Sequence, residues 1–177
     1  RMADRLSFRA ARPEDAETLC AWWNDGAVMA HAGFPRGLGT TAQAVRKKIL
    51  AESDGGVRRY LIEYDGAPVG EMSARSLGGR TCEIGIKLCR AEYQNRGLGK
   101  VILSRLIRFL LDGRGFERIV LSTTPENLRA RHVYERLGFR ELRVNEDSWV
   151  DQDGNPRSSV EYELTRETFR DLDRTVV

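Results

Sequence analysis

The stretch Gln94-Asn95-Arg96-Gly97-Leu98-Gly99-Lys100 joins an alternating strand pattern to a strongly amphipathic helix pattern, and it limits the fold more than any other segment. Upstream, Cys82, Ile84, Ile86 and Leu88 alternate with Glu83, Gly85 and Lys87, a period of two that gives a strand one core face and one polar face. Downstream, Leu98, Val101, Ile102, Leu106, Phe109 and Leu110 recur at helical spacing over residues 98–111, and Asp112-Gly113 ends the pattern. Glycines in the connection let the backbone approach another molecule and turn its N–H groups outward, while the helix N-terminus adds roughly half a positive charge. Strand, glycine loop and helix in this order predict a cradle for a phosphate or pyrophosphate. A turn that merely opens a helix is the plainer reading of the same residues.

Two other phosphate signatures fail on these positions. A Walker A loop needs Gly where Gln94 stands and Ser or Thr where Val101 stands; a dinucleotide fingerprint needs a third glycine where Ile102 stands.

The remaining pattern predicts a mixed α/β chain. Residues 7–11 read as a strand and residues 13–23 as a helix opened by Pro13 and acidic residues, stopped at Asn24-Asp25-Gly26. A glycine-rich loop at 33–39 precedes a helix at 41–52. Strands at 57–64, 69–75 and 82–88 are joined by Asp65-Gly66-Ala67-Pro68 and Leu77-Gly78-Gly79-Arg80, which implies three consecutive antiparallel strands. A strand at 118–122 is followed by a helix starting at Thr124-Pro125 and stopped by Gly138, and strands at 139–144 and 159–164 flank a polar turn at 151–156. With no repeat, low-complexity tract or linker, the 177 residues are expected to form one domain, 1–177, with a largely antiparallel sheet.

Composition removes several classes of function. A net charge of +3, from 29 basic and 26 acidic residues, is too slight for the counterion release that drives nucleic-acid binding, so no nucleic-acid partner is expected. The longest apolar stretch, 101–111, is broken by Arg105 and Arg108 and falls short of the roughly 20 residues of a membrane span. No basic region followed by an apolar run marks export, so a cytoplasmic location is expected. Cys20, Cys82 and Cys89 form no metal or disulfide spacing and read as reduced packing residues; no metal is expected.

The glycine loop resembles the Gln/Arg-x-x-Gly-x-Gly/Ala loop of the GNAT N-acetyltransferase superfamily. A second segment, from Asn127 through Ala130 and Tyr134 to Gly138-Phe139, is similar to that family's Asn-x-x-Ala-x-x-x-Tyr-x-x-x-Gly-Phe helix and strand, in the right order. Trp23-Asn24-Asp25 through Val28 is similar to the branch holding ribosomal-protein alanine and some aminoglycoside acetyltransferases. The resemblance implies a GNAT fold: a central sheet of six to seven strands with two splayed central strands and about four flanking helices. It implies acetyl-CoA as co-substrate, with Ile86, Lys87 and Leu88 pairing with pantetheine. Gln94, Asn95, Arg96, Gly97, Leu98, Gly99 and Lys100 would hold the pyrophosphate, and Asn127 and Tyr134 would address the same elongated ligand. Pairing or exchange of the final strand, common in that family, implies a homodimer.

Acetyl transfer to an amine needs a proton acceptor, because a free alkylamine has a pKa near ~10. Glu83 is the candidate base: it is on the non-core face by alternation, eleven positions before Gln94, similar to the strand glutamate of histone-modifying members. Glu71 takes the role if strand register differs, and His31 is a further candidate. Tyr134 is the candidate general acid toward the departing thiolate, and a backbone N–H near Leu88 the donor for the developing oxyanion. The acceptor would be a primary amine of a small molecule or a protein N-terminus, recognised by Trp22, Trp23, His31, Phe34 and Glu71 with the 145–156 hairpin. Asp147, Asp151 and Asp153 are read either as attracting a cationic amine or as a solvated turn. A non-catalytic acyl-CoA-binding or sensor domain is the rival reading.

Overall fold

Polar turns between alternating strands dictate the first half of the sheet. The computed structural model describes residues 1–175. Asp65 and Gly66 both take positive φ, 50° and 81°, the geometry of a tight hairpin, and join β2 (Val57–Tyr64) to β3 (Ala67–Gly78). Gly78 and Gly79 do the same between β3 and β4 (Thr81–Leu88). With β1 (Leu6–Ala10), β5 (Arg118–Thr123), β6 (Arg140–Val150) and β7 (Pro156–Thr165), the sheet has seven strands in the order β1-β2-β3-β4-β5-β7-β6. Only β4 and β5 run parallel; every other neighbouring pair is antiparallel.

Five α-helices cover the two faces. On one face, α4 (Leu98–Arg108) and α5 (Leu128–Leu137) pack on a core with Ile62, Met72, Cys82, Ile84, Ile119 and Tyr162. Ile102, Leu106, Ile107 and Leu110 are fully buried there, each contributing roughly 1.5–3 kcal/mol of apolar burial. On the other face α1 (Ala16–Trp23), the single-turn α2 (Gly26–Met29) and α3 (Ala42–Glu52) form a second cluster of Ala16, Leu19, Trp23, Met29, Val45 and Leu61. Tyr60 and Ile62 belong to the first core and Leu61 to the second, so alternation along β2 feeds both layers. Arg105 anchors α4 by donating to the Leu6 and Ala3 carbonyls and to Asp173 at 2.9 Å.

Three local readings are corrected. Asn24-Asp25-Gly26 stops α1 and also starts α2, because the Asp25 carboxylate accepts from the Ala27 N–H and caps a new turn. The helix expected from Thr124-Pro125 begins at Leu128: residues 124–127 form a turn closed by the Asn127 N–H on the Thr124 carbonyl, and Asn127 is the N-cap. The last hairpin is longer than the apolar pattern indicates, since β6 runs on to Val150 and β7 starts at Pro156, with mostly exposed residues in β6. No helix among the described residues is long and apolar enough to cross a membrane.

Candidate active site

Strands β4 and β5 pair at only three positions, Thr81 with Arg118, Cys82 with Ile119 and Glu83 with Val120. Beyond them, residues 84–88 stay paired to β3 and residues 121–123 to β7, so the sheet forks toward the C-terminal ends of the parallel pair. A crevice at the carboxyl ends of parallel strands is where open α/β sheets bind ligands. The helices that follow the two strands, α4 and α5, both begin at this open end.

The α4 N-terminus differs from those of α2, α3 and α5. Gly97 is its N-cap at φ 74°, a left-handed conformation that a side chain disfavours, and Asn95 at φ 62° helps turn the loop. No side chain caps the helix and its first turn holds no acidic residue, in contrast with α2, α3 and α5, whose first N–H groups are taken by Asp25, Thr41 and Asn127. A Cβ on Gly99 would meet nothing within 4 Å, so nothing in the protein itself requires glycine there. Arg96 and Lys100 have no carboxylate partner among the described residues, and the Arg96 guanidinium touches only the Met2 sulfur, at 3.9 Å. Gln94 works differently from the other cradle residues: its side-chain amide donates to the Leu88 carbonyl at 2.7 Å and ties the loop to the end of β4.

Asn127 caps α5 and Tyr134 lies on it. The Asn127 side-chain oxygen accepts from the Ala130 N–H at 3.2 Å, leaving its amide N–H groups without a partner among the described residues. The Tyr134 ring is buried against Phe139 and Tyr162 with centroids 5.9 Å from each, and burial pushes its phenol up to about 12, with Tyr162 adding to the effect. The Tyr134 hydroxyl has no hydrogen-bond partner among the described residues, yet no buried side-chain polar atom is left unpartnered, so this oxygen reaches open space.

The opposite sheet face holds the acidic candidates in two different settings. Glu83 sits at the apex of the fork, where its Oε1 accepts from Arg75 across the strand pair at 2.6 Å, in an exposed ion pair. Glu71 is 2% exposed and pairs with Arg59, while its other oxygen accepts from the Trp23 indole at 2.5 Å. Arg59 also pairs with Glu52 at 2.7 Å and stacks on the Trp23 ring. Trp22 and Phe34 pack against this same cluster. Close by, burial pushes the Cys89 thiol up to about 12, with Glu71 adding to it.

A cleft of about 720 Å³ lies beside the segment that joins β5 to α5, lined by His31, Thr124, Glu126, Asn127, Leu128, Arg129 and Arg157. One wall is the loop after α2, which the hairpin tip clasps. The Gln152 N–H donates to the Gly33 carbonyl at 2.8 Å, its side-chain amide donates to the Gly37 carbonyl at 2.9 Å, and its side-chain oxygen accepts from the Arg36 N–H at 2.9 Å. Arg36 also pairs with Asp153.

The structure therefore brings His31 and Asn127 to one cleft and places Gln94 to Lys100 at the α4 side of the fork. It keeps Trp22, Trp23, Phe34 and Glu71 in the packed layer beneath the 30–40 loop rather than along the cleft. Gln152, Arg129 and Arg157 escaped the sequence reading. For Gln152 and Arg157 no local signal exists, because a polar turn carries no mark of the loop it contacts more than a hundred residues away. Among the described residues no group of His, Cys, Asp and Glu is arranged to hold a metal ion.

Comparisons with known proteins agree with this geometry. The acetyltransferase (GNAT) domain family profile matches residues 5–140. A mycothiol acetyltransferase of Beutenbergia cavernae is 35% identical over 81 residues, 46% of this chain and 27% of that protein. A spermine/spermidine N(1)-acetyltransferase of Bacillus subtilis is 42% identical over 48 residues, 27% of this chain and 32% of that protein. The match thus spans about a quarter to a third of the length of these curated relatives. Among solved structures, a spermidine N-acetyltransferase from Vibrio cholerae in complex with CoA and spermine has a TM-score of 0.82 at 18% identity, covering 93% of this chain and 98% of that one. A putative acetyltransferase from Salmonella typhimurium with its cofactor acetyl-CoA has a TM-score of 0.73 at 22% identity, covering 91% and 94%. At these identities the structural likeness is one of fold. With the profile match covering most of the described residues, the chain belongs to the acetyltransferase (GNAT) domain family.

Proposed function

We propose that the chain is an acetyl-CoA-dependent N-acetyltransferase whose acceptor is a primary amine, attacked directly while both substrates are bound. The observation that carries this reading is the uncapped α4 N-terminus at the mouth of the β4–β5 fork. Backbone N–H groups of 97–100, the vacant space above Gly99 and the unpaired cations Arg96 and Lys100 suit a diphosphate. The backbone of Ile86, Lys87 and Leu88, partly buried and unpaired with β5 on the splayed part of β4, suits an amide-bearing pantetheine arm. When bound, acetyl-CoA supplies the activated acetyl group. The relatives named for spermine, spermidine and mycothiol support an amine as the other substrate.

Four groups of this chain are assigned roles. Glu83, on the polar face at the fork apex, takes the proton that the amine nitrogen must lose, directly or through water, an effect worth typically ~10²–10⁴-fold. The Tyr134 phenol, protonated at neutral pH and pushed further up by burial, donates its hydroxyl toward the thiolate sulfur. The backbone N–H near Leu88 is a fixed donor for negative charge building on the acetyl oxygen, worth about 2.7–4 kcal/mol. The free amide N–H groups of Asn127 hold the arm in register.

The test follows free thiol while the protein is incubated with acetyl-CoA and a panel of amines, with low-salt calorimetry alongside. Thiol release that depends on an amine supports the reading. Heat of binding without thiol release for any amine replaces it with a binding or sensor domain, and no heat at all removes the cradle.

A further inference from the structure

Charges at the cleft are distributed unevenly, and this decides what kind of amine it suits. Most carboxylates near the acceptor side are already taken. Glu71 and Glu52 share Arg59, Glu83 pairs with Arg75, and Asp153 pairs with Arg36. Two guanidiniums line the cleft. Arg129 has no ion pair or hydrogen bond among the described residues, and Arg157 makes one long ion pair, with Asp151 at 3.6 Å, that leaves most of its donors free.

Arg157 is also held in place by its surroundings. Its guanidinium stacks over the Trp149 ring, 5.2 Å from the centroid. One of its nitrogens forms an ion pair with Asp151 Oδ2 at 3.6 Å, longer than a hydrogen bond. Asp151 Oδ1 is occupied by the N–H groups of Asp153 and Asn155 at 2.9 Å. Trp149 in turn lies under Gly33, where a Cβ would come within 2.4 Å of the indole, and its N–H donates to the Ser158 carbonyl at 3.3 Å. A planar fork of donors, half-buried, stacked and facing a cleft, is preorganised for a planar oxyanion. Among the described lining residues Glu126 is the only carboxylate, and Asp151 behind Arg157 is largely buried with Oδ1 already engaged, so an anion gains more there than a polycation.

We infer that the acceptor is an amine carrying a carboxylate, a free amino acid or an acidic amine of that class, with the carboxylate seated on Arg157 and Arg129. The inference rests on the acetyltransferase reading only for the word acceptor; the anion site stands on the cleft itself. It also separates this chain from the polyamine specificity named for its relatives.

Two measurements test it. In the thiol-release assay, free amino acids are compared with the corresponding amino-acid amides and with spermidine. The acids are expected to be favoured by at least about tenfold in kcat/KM, the range given by one charge-assisted hydrogen-bonding group. Arg157→Gln should collapse that acid-to-amide preference toward one, and Arg157→Lys should retain part of it. Independently of turnover, N-acetylated amino acids should perturb tryptophan fluorescence through Trp149 where N-acetylated amides do not, and Arg157→Gln should abolish the difference. Equal response to acids and amides, or spermidine turned over as well as the acids, overturns the inference. Acids that bind while no amine supports thiol release overturn the enzymatic reading and leave the anion site intact.

Discussion

The backbone N–H of Gln152 donates to the carbonyl of Gly33 at 2.8 Å, so the tip of the β6–β7 hairpin fixes the loop that carries His31 into the cleft. Three side-chain and backbone hydrogen bonds from one residue hold a segment that has no regular structure of its own between 33 and 41. The two walls of the cleft are thereby made one unit.

Gln152→Ala removes the acceptor for the Arg36 N–H and the donor to Gly37. Amide hydrogen exchange at Arg36 should accelerate markedly, while exchange in β2 and β3 stays as it was. The KM for an acceptor amine should rise several-fold with the KM for acetyl-CoA unmoved. Unchanged protection at Arg36 would show that the clasp does not hold the loop.

Gly99 and Gly97 should separate binding from folding. Gly99→Ala sits in a helix with open space around its Cβ, so it should raise stability by about 0.5–1 kcal/mol while weakening acetyl-CoA binding. Gly97→Ala, at φ 74°, should instead lose roughly 1–2 kcal/mol. Thermal melts and calorimetric titration read the two effects apart; a Gly99→Ala protein that binds as tightly as the parent would remove the close-approach argument.

Tyr134→Phe should fold and bind acetyl-CoA but lose turnover if its hydroxyl serves the thiolate. The pH dependence of stability gives a second readout. Burial raises the phenol to about 12 from its ordinary value of 10.0, so the unfolded chain releases this proton first as pH rises. The stability tied to the protonated phenol is complete below pH 10 and is lost between about pH 10 and 12. The parent protein should lose more stability across that window than Tyr134→Phe does, and identical slopes would mean the ring is not sealed as described.

Glu83→Gln and Glu71→Gln should fail in opposite ways. Glu83 sits in an exposed pair with Arg75, so its loss should change stability by less than about 1 kcal/mol and cut kcat by about 10²-fold or more. Glu71 is buried between Arg59 and the Trp23 indole, so neutralising it leaves Arg59 with one carboxylate fewer and should cost about 3–5 kcal/mol. Denaturation midpoints and kcat on the folded fraction distinguish them. Full activity in Glu83→Gln would move the base elsewhere.

Much of this was legible along the chain, and where it was not the cause is specific. Alternation in 82–88, the amphipathic run after Gly97 and the turn residues at 65–66 fixed strands and helices, because side-chain period and backbone sterics are local properties. The α5 start was misplaced because Thr124, Pro125 and Asn127 are all good opening residues, and only the closed turn over 124–127 shows that Asn127 is the one that caps. Glu83 and Glu71 both fall on the polar face by alternation, yet one is exposed and the other sealed. Their difference comes from Trp23, which arrives from α1 48 residues away, and from Arg59 across the β2–β3 hairpin.

The sequence alone determined the order of elements, the two faces of β4 and the glycine-shaped anion cradle, since each depends on neighbours within a few residues. Tertiary structure alone decided where the sheet forks, which carboxylates are consumed by internal cations, and that Trp149 and Gln152 meet the loop around Gly33. Those outcomes are set by pairing between segments more than a hundred residues apart, and a contact between distant segments exists only once the whole core has closed around it.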